Sequence, residues 1–182
     1  HSAAGGVGLA AVALAQRAGA EIVATAGSDV KRQYLRDLGI AHVFDSRSTS
    51  FAAAIRAATH DEGVDVVLNS LAGEAIPASL ALLRDDGRFL EIGKRDIYDD
   101  MQLGLAPFKR GLTFTHIDLA RLVRDRPAFM GSLLRELIAH FERGELQPLP
   151  FEAFPISRAA TAFRHMAQAK HIGKVVLTLN DP

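Results

Sequence analysis

The sequence contains no cysteine and no tryptophan, and it has no apolar run long enough to cross a bilayer. The absence of cysteine excludes disulfide bonds and thiolate–zinc centres. The apolar stretch 9–18 is too short and too rich in alanine to form a membrane span, and no signal peptide is visible. We therefore expect a cytoplasmic location and no membrane partner.

An excess of charge of one sign is also missing, because Lys plus Arg and Asp plus Glu each total 21. A net charge near zero provides no basic field for nucleic acid, so we expect no nucleic-acid partner. The seven histidines lack the paired spacing of a metal site, and we expect no metal. With 182 residues, 48% of them hydrophobic, the chain can form one sizeable core with an appendage.

The most informative stretch is the glycine-rich segment at the start of the chain. Ala3, Gly5 and Gly8 have the spacing of a G-x-G-x-x-G turn, with alanine in the first position. Gly5 would let the backbone approach a pyrophosphate, and Gly8 would let the following helix pack closely on its strand. The turn predicts a dinucleotide site formed by Gly5, Gly6, Val7 and Gly8. Since such a turn normally follows a strand, we expect that first strand to be missing here.

Short apolar segments alternate with helical segments along the first half of the chain. The pattern predicts strands at 21–25, 41–44, 64–68 and 88–92, and helices at 30–38, 51–59 and 74–83. This alternation is typical of βαβ units in a parallel sheet that is covered on both faces. We predict an α/β fold, a Rossmann-type doubly wound parallel sheet.

The rhythm changes after Gly93. A charged loop is expected at 94–111, followed by the elements predicted at 112–117 (strand), 127–142 (amphipathic helix), 151–154 (strand), 157–169 (helix capped by Ser157, with Phe163 and Met166 inward) and 174–179 (strand). Pro148 and Pro150 mark a linker, so we divide the chain into an NADP(H)-binding domain, 1–145, and a C-terminal segment, 146–182. The strand 112–117 comes last in the parallel run and is apolar, so we expect an edge that pairs with a second copy.

The residues after the second strand indicate which nucleotide is bound. NAD-binding versions of this fold have an acidic residue there for the ribose 2′-hydroxyl. Here Gly27 and Ser28 follow the strand, Asp29 is expected to cap the next helix, and Lys31 comes one turn later. Cations bind a 2′-phosphate through charge-assisted hydrogen bonds. We predict NADP(H), with Arg47 also at the adenosine end; the alternative is that these cations are ordinary solvated charges.

Five blocks resemble the enoyl reductase domain of type I polyketide synthases and animal-type fatty acid synthases, in the zinc-free medium-chain dehydrogenase/reductase superfamily. In order they are HSAAGGVGLAA, TAGSDVKRQYL, DVVLNSLAGE, GRFLEIGKRD and FRHMAQAKHIGKVVL. The resemblance implies NADPH-dependent reduction of the α,β-double bond of an enoyl thioester carried on acyl carrier protein, beside other synthase domains in one polypeptide. It also implies a substrate domain split around the nucleotide domain, with 146–182 returning to it, so we expect this chain alone to be inactive.

The resemblance also implies roles for individual residues. Lys94 and Asp118 match a lysine and an aspartate near the nicotinamide, where they are proposed as proton donor or orienting pair. Gly93 belongs to the same block as Lys94. The remaining matches near the cofactor are Asn69, Ser70, Leu71, Lys170, His171 and Gly173. For Asn69 an alternative stays open, since its side chain could simply satisfy its own turn.

Two other functions remain open at this level. One is a free-standing quinone oxidoreductase of the same superfamily, which would reduce a small conjugated carbonyl compound. The other is a non-catalytic NADPH-binding module that keeps the fold.

Overall fold

The computed structural model describes residues 1–179, an α/β chain whose strands pair in parallel. Its elements in order are α1 (Gly6–Arg17), β1 (Val23–Ala26), α2 (Asp29–Asp37), β2 (His42–Asp45), α3 (Phe51–Ala58), β3 (Val64–Asn69), α4 (Ala75–Leu80), β4 (Leu83–Glu91), α5 (Arg95–Tyr98), β5 (Thr113–His116), α6 (Leu119–Asp125), α7 (Pro127–Glu142), β6 (Phe151–Pro155), α8 (Ala159–Ala167) and β7 (Lys174–Thr178). Short 3₁₀ turns occupy Ala106–Arg110 and Ile156–Arg158.

The strands form the pairs β1–β2 and β6–β7 and the three-stranded sheet β3–β4–β5, and every pair is parallel. Parallel neighbours need crossover connections, and α2 and α4 provide them for β1–β2 and β3–β4. The predicted Rossmann-type α/β fold is therefore confirmed. Because β5 pairs on one side only, with β4, the described part of the chain leaves its other edge open, as predicted.

A gap separates β1 from β3. The first residues of the chain bridge it: the His1 amino group donates to the Leu68 carbonyl at 2.9 Å, and the Ala3 N–H donates to the Thr25 carbonyl at 3.0 Å. A cavity of about 820 Å³ lies here, with α1, β1, α3 and β3 contributing to its lining. Across the molecule the order is β2, β1, the gap, β3, β4, β5.

Three buried apolar clusters form the core of the described residues, and two of them lie on either side of this gap. The first packs α1 and α2 on β1 and β2, with Leu9 and Leu35 buried. The second packs α4 and the 3₁₀ turn at Ala106–Arg110 on β3–β5, where the Phe89 and Phe114 rings stack with centroids 5.1 Å apart.

Several predicted elements need correction. The helix predicted to reach Leu83 ends at Leu80, and β4 begins at Leu83, because the Leu82 carbonyl already accepts from the Val64 N–H of β3. Helix α6 was not predicted within 118–126. Its seven residues were too few to show a clear periodic pattern.

The C-terminal helix also differs from the prediction. Ser157 lies in a 3₁₀ turn and does not cap α8, which begins at Ala159 without a side-chain cap. Phe163 and Met166 face solvent instead of the interior. The two-stranded β6–β7 sheet offers a narrow surface, and Ala162 is the residue of α8 that it buries.

Helix α7 is amphipathic, as predicted, but its apolar face is solvent-exposed in the described residues. That face consists of Phe129, Leu133, Leu134, Leu137, Ile138 and Phe141, which are 38–59% exposed. Glu145, just after α7, forms an ion pair with Arg17 of α1 at 2.6 Å and another with its neighbour Arg143 at 2.8 Å. The first of these links the end of α7 to α1. Hydrogen bonds from Arg143, His140 and Arg17 hold the pKa of Glu145 far below its usual range. None of the helices between residues 1 and 179 has the length and apolarity of a membrane span.

Candidate cofactor and active site

The glycine turn places unpaired N–H groups at the start of α1. Gly5 is the N-cap residue, and its own N–H donates to the Ser2 carbonyl at 3.0 Å. Within residues 1–179, the N–H groups of Gly6, Val7 and Gly8 have no acceptor. The first turn of α1 carries no acidic side chain. Such a helix start attracts an anion through its free N–H groups and its partial positive charge.

Glycine is required in this turn for two different reasons. A Cβ atom on Gly8 would lie 2.5 Å from the Ser2 carbonyl oxygen and 2.6 Å from the Ala3 Cα, so the helix could not pack as it does. A Cβ atom on Gly5 would meet only the Ser2 oxygen, at 3.4 Å. The space above Gly5 is therefore left free for a ligand, as a dinucleotide cradle requires.

The C-terminal segment is hydrogen-bonded directly to this turn. The Gly173 N–H donates to the Ala4 carbonyl at 2.9 Å, and Gly173 forms a parallel bridge with Gly5. Gly173 has a φ of +71°, and a Cβ atom there would overlap the Pro150 carbonyl. The structure thus brings Gly173 to the glycine turn through its backbone, while its place near the cofactor stays a prediction.

Sequence reasoning missed Lys174, whose side chain lies over the glycine turn. A Cβ atom on Gly6 would lie 2.5 Å from Lys174 Cδ and 3.5 Å from its Nζ. Within residues 1–179, Lys174 has no carboxylate partner. The available signal was the position of this lysine immediately after Gly173 in the closing block.

Lys31 points to the same side of the molecule. Its Nζ donates to the Ala169 carbonyl at 2.7 Å, just beyond the end of α8. Burial lowers the pKa of Lys31. The pKa of His171 is also lowered, first by burial and then by the positive charges of Lys31 and Lys174. Lys31 and Lys174 therefore form a cationic cluster near His171, whose lowered pKa leaves its ring uncharged at neutral pH, whereas Lys170 is simply exposed.

The end of β1 is organised by hydrogen bonds within the protein. Ser28 caps α2 by accepting from the Lys31 N–H at 3.4 Å, whereas Asp29, the expected cap, pairs with Arg32 at 2.5 Å. Asp29 cannot cap because it is already the first residue of the helix.

The other two cations here differ from each other. Arg32 is buried and donates to the Ala26 carbonyl at 2.9 Å, so it is structural. Arg47 is exposed and passes 3.7 Å from the position of a Cβ on Gly27. Gly27 and Arg47 together thus border the expected adenosine end.

Asn69 is fully buried at the end of β3 and makes three hydrogen bonds. Its amide donates to the Leu71 carbonyl at 2.8 Å and to Glu91 at 2.5 Å, and its oxygen accepts from the Leu71 N–H at 3.1 Å. Of the two alternatives for Asn69, the geometry favours the one in which it satisfies its turn. Ser70 donates to the Ser2 hydroxyl at 3.0 Å, which joins this turn to the glycine turn.

Glu91 is a second residue that sequence reasoning missed. It lies beside Asn69 in the β3–β4 register and is 2% exposed. Its other oxygen accepts from the Gly93 N–H at 2.5 Å. Burial raises the pKa of Glu91, although the hydrogen bonds from Asn69 and Gly93 oppose that shift. A single buried acid in a strand gave no periodic signal that could have identified it.

Lys94 and Asp118 meet at the carboxyl ends of β4 and β5. Lys94 Nζ lies 3.0 Å from Asp118 Oδ1, and the same oxygen accepts from the N–H groups of Ala120 and Arg121 at the start of α6. The hydrogen bond to Asp118 raises the pKa of Lys94, and its counterpart lowers the pKa of Asp118. Open α/β sheets bind ligands at this edge. The predicted pairing is present in the structure, while its catalytic role stays a prediction.

Comparisons with known proteins identify the family. A family model described as zinc-binding dehydrogenase matches residues 38–177, more than three quarters of the chain. A mycocerosic acid synthase-like polyketide synthase from Mycolicibacterium smegmatis is 53% identical over 182 residues, all of this chain and 9% of that protein.

Two solved structures are also similar. The nucleotide-binding subdomain of the enoylreductase domain of PpsC from Mycobacterium tuberculosis is 48% identical with a TM-score of 0.77, covering 81% of this chain and 82% of that one. The CurK enoyl reductase is 46% identical with a TM-score of 0.84, covering 98% of this chain and 53% of that one. The chain belongs to the enoyl reductase domains of polyketide synthases, within the zinc-binding dehydrogenase family.

The family name raises the question of a metal. The sequence has no cysteine, and among residues 1–179 no three His, Asp or Glu side chains converge as metal ligands. The donor set in the described residues does not fit a zinc ion.

The chain spans about a tenth of its synthase relative and about half of the CurK structure.

Proposed function

We propose that the chain forms the NADP(H)-binding half of an enoyl reductase that reduces an enoyl thioester carried on acyl carrier protein. The observation that carries this proposal is the Lys94–Asp118 pair, 3.0 Å apart at the sheet edge where ligands bind. When bound, the dihydronicotinamide supplies a hydride to the β-carbon of the conjugated thioester. The reaction then needs stabilisation of an enolate oxygen and a proton at the α-carbon.

Lys94 supplies what that second half of the reaction needs. Its ammonium group can stabilise developing negative charge on the thioester oxygen, donate a proton to the α-carbon, or hold a water molecule that does so. Asp118 fixes the ammonium group, and the N–H groups of α6 fix Asp118 in turn. The pair is partly exposed, as a substrate that enters from another domain would require.

The preference for NADP(H) over NAD(H) rests on charge. Gly27 and Ser28 follow β1 directly where an NAD-type site has its acid, and the next carboxylate, Asp29, pairs with Arg32. Lys31, and Arg47 beside Gly27, offer cations for a 2′-phosphate. Lys174 and the free N–H groups of α1 serve the pyrophosphate.

The gap between β1 and β3 supports the prediction of an additional strand. It is flanked by two parallel strands and bridged by residues 1–3, so an extended segment entering before His1 would complete one continuous sheet. We also keep the division into 1–145 and 146–182, because β6 and β7 pair only with each other in the described residues. The substrate domain and other synthase domains would then be supplied by the same polypeptide.

The test uses the complete enzyme and two acceptors. Single-turnover reduction by NADPH should be far faster with a crotonyl thioester on carrier protein than with a small quinone. A faster quinone reaction would support the free-standing quinone reductase instead. Cofactor binding without turnover of either acceptor would support a non-catalytic module.

A further inference from the structure

We propose that Glu91 is a positioning residue that holds both turns of the nicotinamide end in one geometry. Its carboxylate accepts from two donors on different turns, the Asn69 amide and the Gly93 N–H, each at 2.5 Å. The inference rests on the proposed function, since it concerns how the site that would face the nicotinamide is built.

The two bonded turns carry the residues expected at the reacting end. Asn69 transfers the constraint to Leu71, whose N–H and carbonyl both bind the Asn69 side chain. Gly93 immediately precedes Lys94, so the hydrogen bond from its N–H to Glu91 fixes the direction in which the chain continues from the end of β4 to Lys94. A second link joins the same region, because the Gly73 N–H donates to Asp96 at 3.2 Å. Glu91 thus acts on Lys94 and Leu71 through other groups, and it would touch neither the cofactor nor the thioester.

The chemistry of this contact requires a carboxylate. Both partners are donors, and a carboxylate has two accepting oxygens. A glutamine of the same shape would turn its amide nitrogen toward either Asn69 or Gly93, so one buried donor would lose its acceptor. Gly93 must also remain glycine, because a Cβ there would lie 2.7 Å from Glu91 Oε1. The arrangement is therefore specified by hydrogen-bond polarity as well as by size.

Glu91→Gln is the first test, with Glu74→Gln as the matched control on an exposed glutamate that makes no capping hydrogen bond. The dissociation constants of NADPH and of adenosine 2′,5′-diphosphate are measured for each folded variant, with circular dichroism as the folding check. We expect Glu91→Gln to weaken NADPH about 10-fold, as for one lost buried hydrogen bond. Adenosine 2′,5′-diphosphate, which lacks the nicotinamide half, should bind as to wild type.

A double-mutant cycle with Asn69→Ala tests whether Glu91 acts through Asn69. Asn69→Ala removes both the donor that Glu91 holds and the group that binds Leu71, and in its absence a glutamine at position 91 can turn its oxygen to the Gly93 N–H without leaving a second donor unmatched. The double variant Asn69→Ala with Glu91→Gln should therefore bind NADPH about as well as Asn69→Ala alone, rather than a further 10-fold more weakly. In the complete enzyme, Glu91→Gln should lower kcat more than it changes KM for the thioester.

Three results would overturn the proposal. Unchanged NADPH affinity in Glu91→Gln, equal weakening of both ligands, or fully additive losses in the double variant each exclude selective positioning by Glu91. A wild-type chain that binds neither ligand contradicts the proposed function itself, and the positioning role falls with it.

Discussion

The two ends of the candidate site are built by opposite means. At the glycine turn, the absence of side chains leaves the backbone N–H groups and the space above Gly5 available. At the β3–β5 edge, side chains make the geometry: Asn69 and Glu91 are buried and hydrogen-bonded, and Lys94 pairs with Asp118. The first end is sensitive to any added atom, and the second to the loss of a particular donor or acceptor.

This difference predicts how each end responds to mutation. A backbone-built site cannot be repaired by a compensating side chain, because the added Cβ occupies space. A side-chain-built site depends on particular donors and acceptors, so substitutions of hydrogen-bonded partners should be non-additive, as in the Asn69–Glu91 pair. The following experiments test the contrast, from the largest expected effect to the smallest.

The glycine turn should show the largest effects, and its glycines should differ from one another. Gly8→Val should destabilise the domain by roughly 3 kcal/mol or more, because its side chain would meet backbone atoms that cannot move aside. Gly5→Ala should keep its melting temperature and still lose on the order of 100-fold in NADPH affinity, because its methyl group projects into the cradle. Thermal unfolding and fluorescence titration measure the two quantities.

The control for this pair is Gly19→Ala, at a solvent-facing turn where a Cβ meets nothing within 4 Å. Its φ of +69° strains alanine, so a modest loss of stability without loss of binding is expected. Normal NADPH affinity in folded Gly5→Ala would mean that the turn is structural only.

Lys94→Ala should slow reduction in the complete enzyme by on the order of 100-fold while changing the NADPH dissociation constant little. Asp118→Asn should have a smaller effect that is not additive with Lys94→Ala, because both act through one ion pair. Single-turnover reduction of an enoyl thioester by the two single variants and the double variant measures this. Wild-type rates in Lys94→Ala would place the proton donor elsewhere.

The ion pair also predicts the pH range. The pKa of Asp118 is lowered, so its contribution is present above the ordinary carboxyl value of 3.8 and is lost only as the pH falls through the lower folded value. The pKa of Lys94 is raised, so its charge is kept until the pH rises past the ordinary lysine value of 10.5. An alkaline limb near pH 8 in the rate profile must therefore come from another group.

Substitutions of the two lysines of the cationic cluster, Lys31 and Lys174, should differ in their effect on the choice between NADPH and NADH. Lys31→Ala should weaken NADPH about 10-fold and leave NADH unchanged, since its expected partner is the 2′-phosphate. Lys174→Met should weaken NADPH and NADH by similar factors, since the pyrophosphate is common to both. Titrations of both cofactors against both variants give the ratio. If Lys31→Ala weakened the two cofactors equally, Lys31 would not select the phosphate.

The smallest effect concerns the open edge of β5. Thr115→Lys adds a charge to an exposed position on this strand and should weaken any dimer several-fold without altering cofactor affinity. Sedimentation at micromolar concentration measures the change, with Thr49→Lys, at an exposed position outside this sheet, as the control. A monomer at all concentrations would refute pairing through this strand.

The sequence predicted the features that follow from local patterns and recognisable motifs. The strand–helix alternation, the glycine turn, the position of β5 at an edge and the pairing of Lys94 with Asp118 are all present in the structure. These features rest on local periodicity, on a spacing motif, or on two blocks matched to a family.

The features that the sequence did not predict depend on contacts between distant residues. Glu91 acquires its role through Asn69, and Lys174 through Gly6, and these partners reach them only in the folded chain. The inward prediction for Phe163 and Met166 was wrong because helical periodicity marks an apolar face without saying whether anything covers it. Helix α6 was missed because its main stabilising signal, the Asp118 cap, is a single residue.

The bridge between Gly5 and Gly173 has a consequence for synthesis on the ribosome. The two glycines lie near opposite ends of the chain, so their contact is among the most non-local in the domain. Domains emerge from the ribosome N-terminal end first, and non-local contacts close last. The glycine turn is synthesised first, but the part of the site that includes Lys174 is added only when β7 has emerged. A nascent chain that ends before β7 would therefore offer the cofactor an unfinished site.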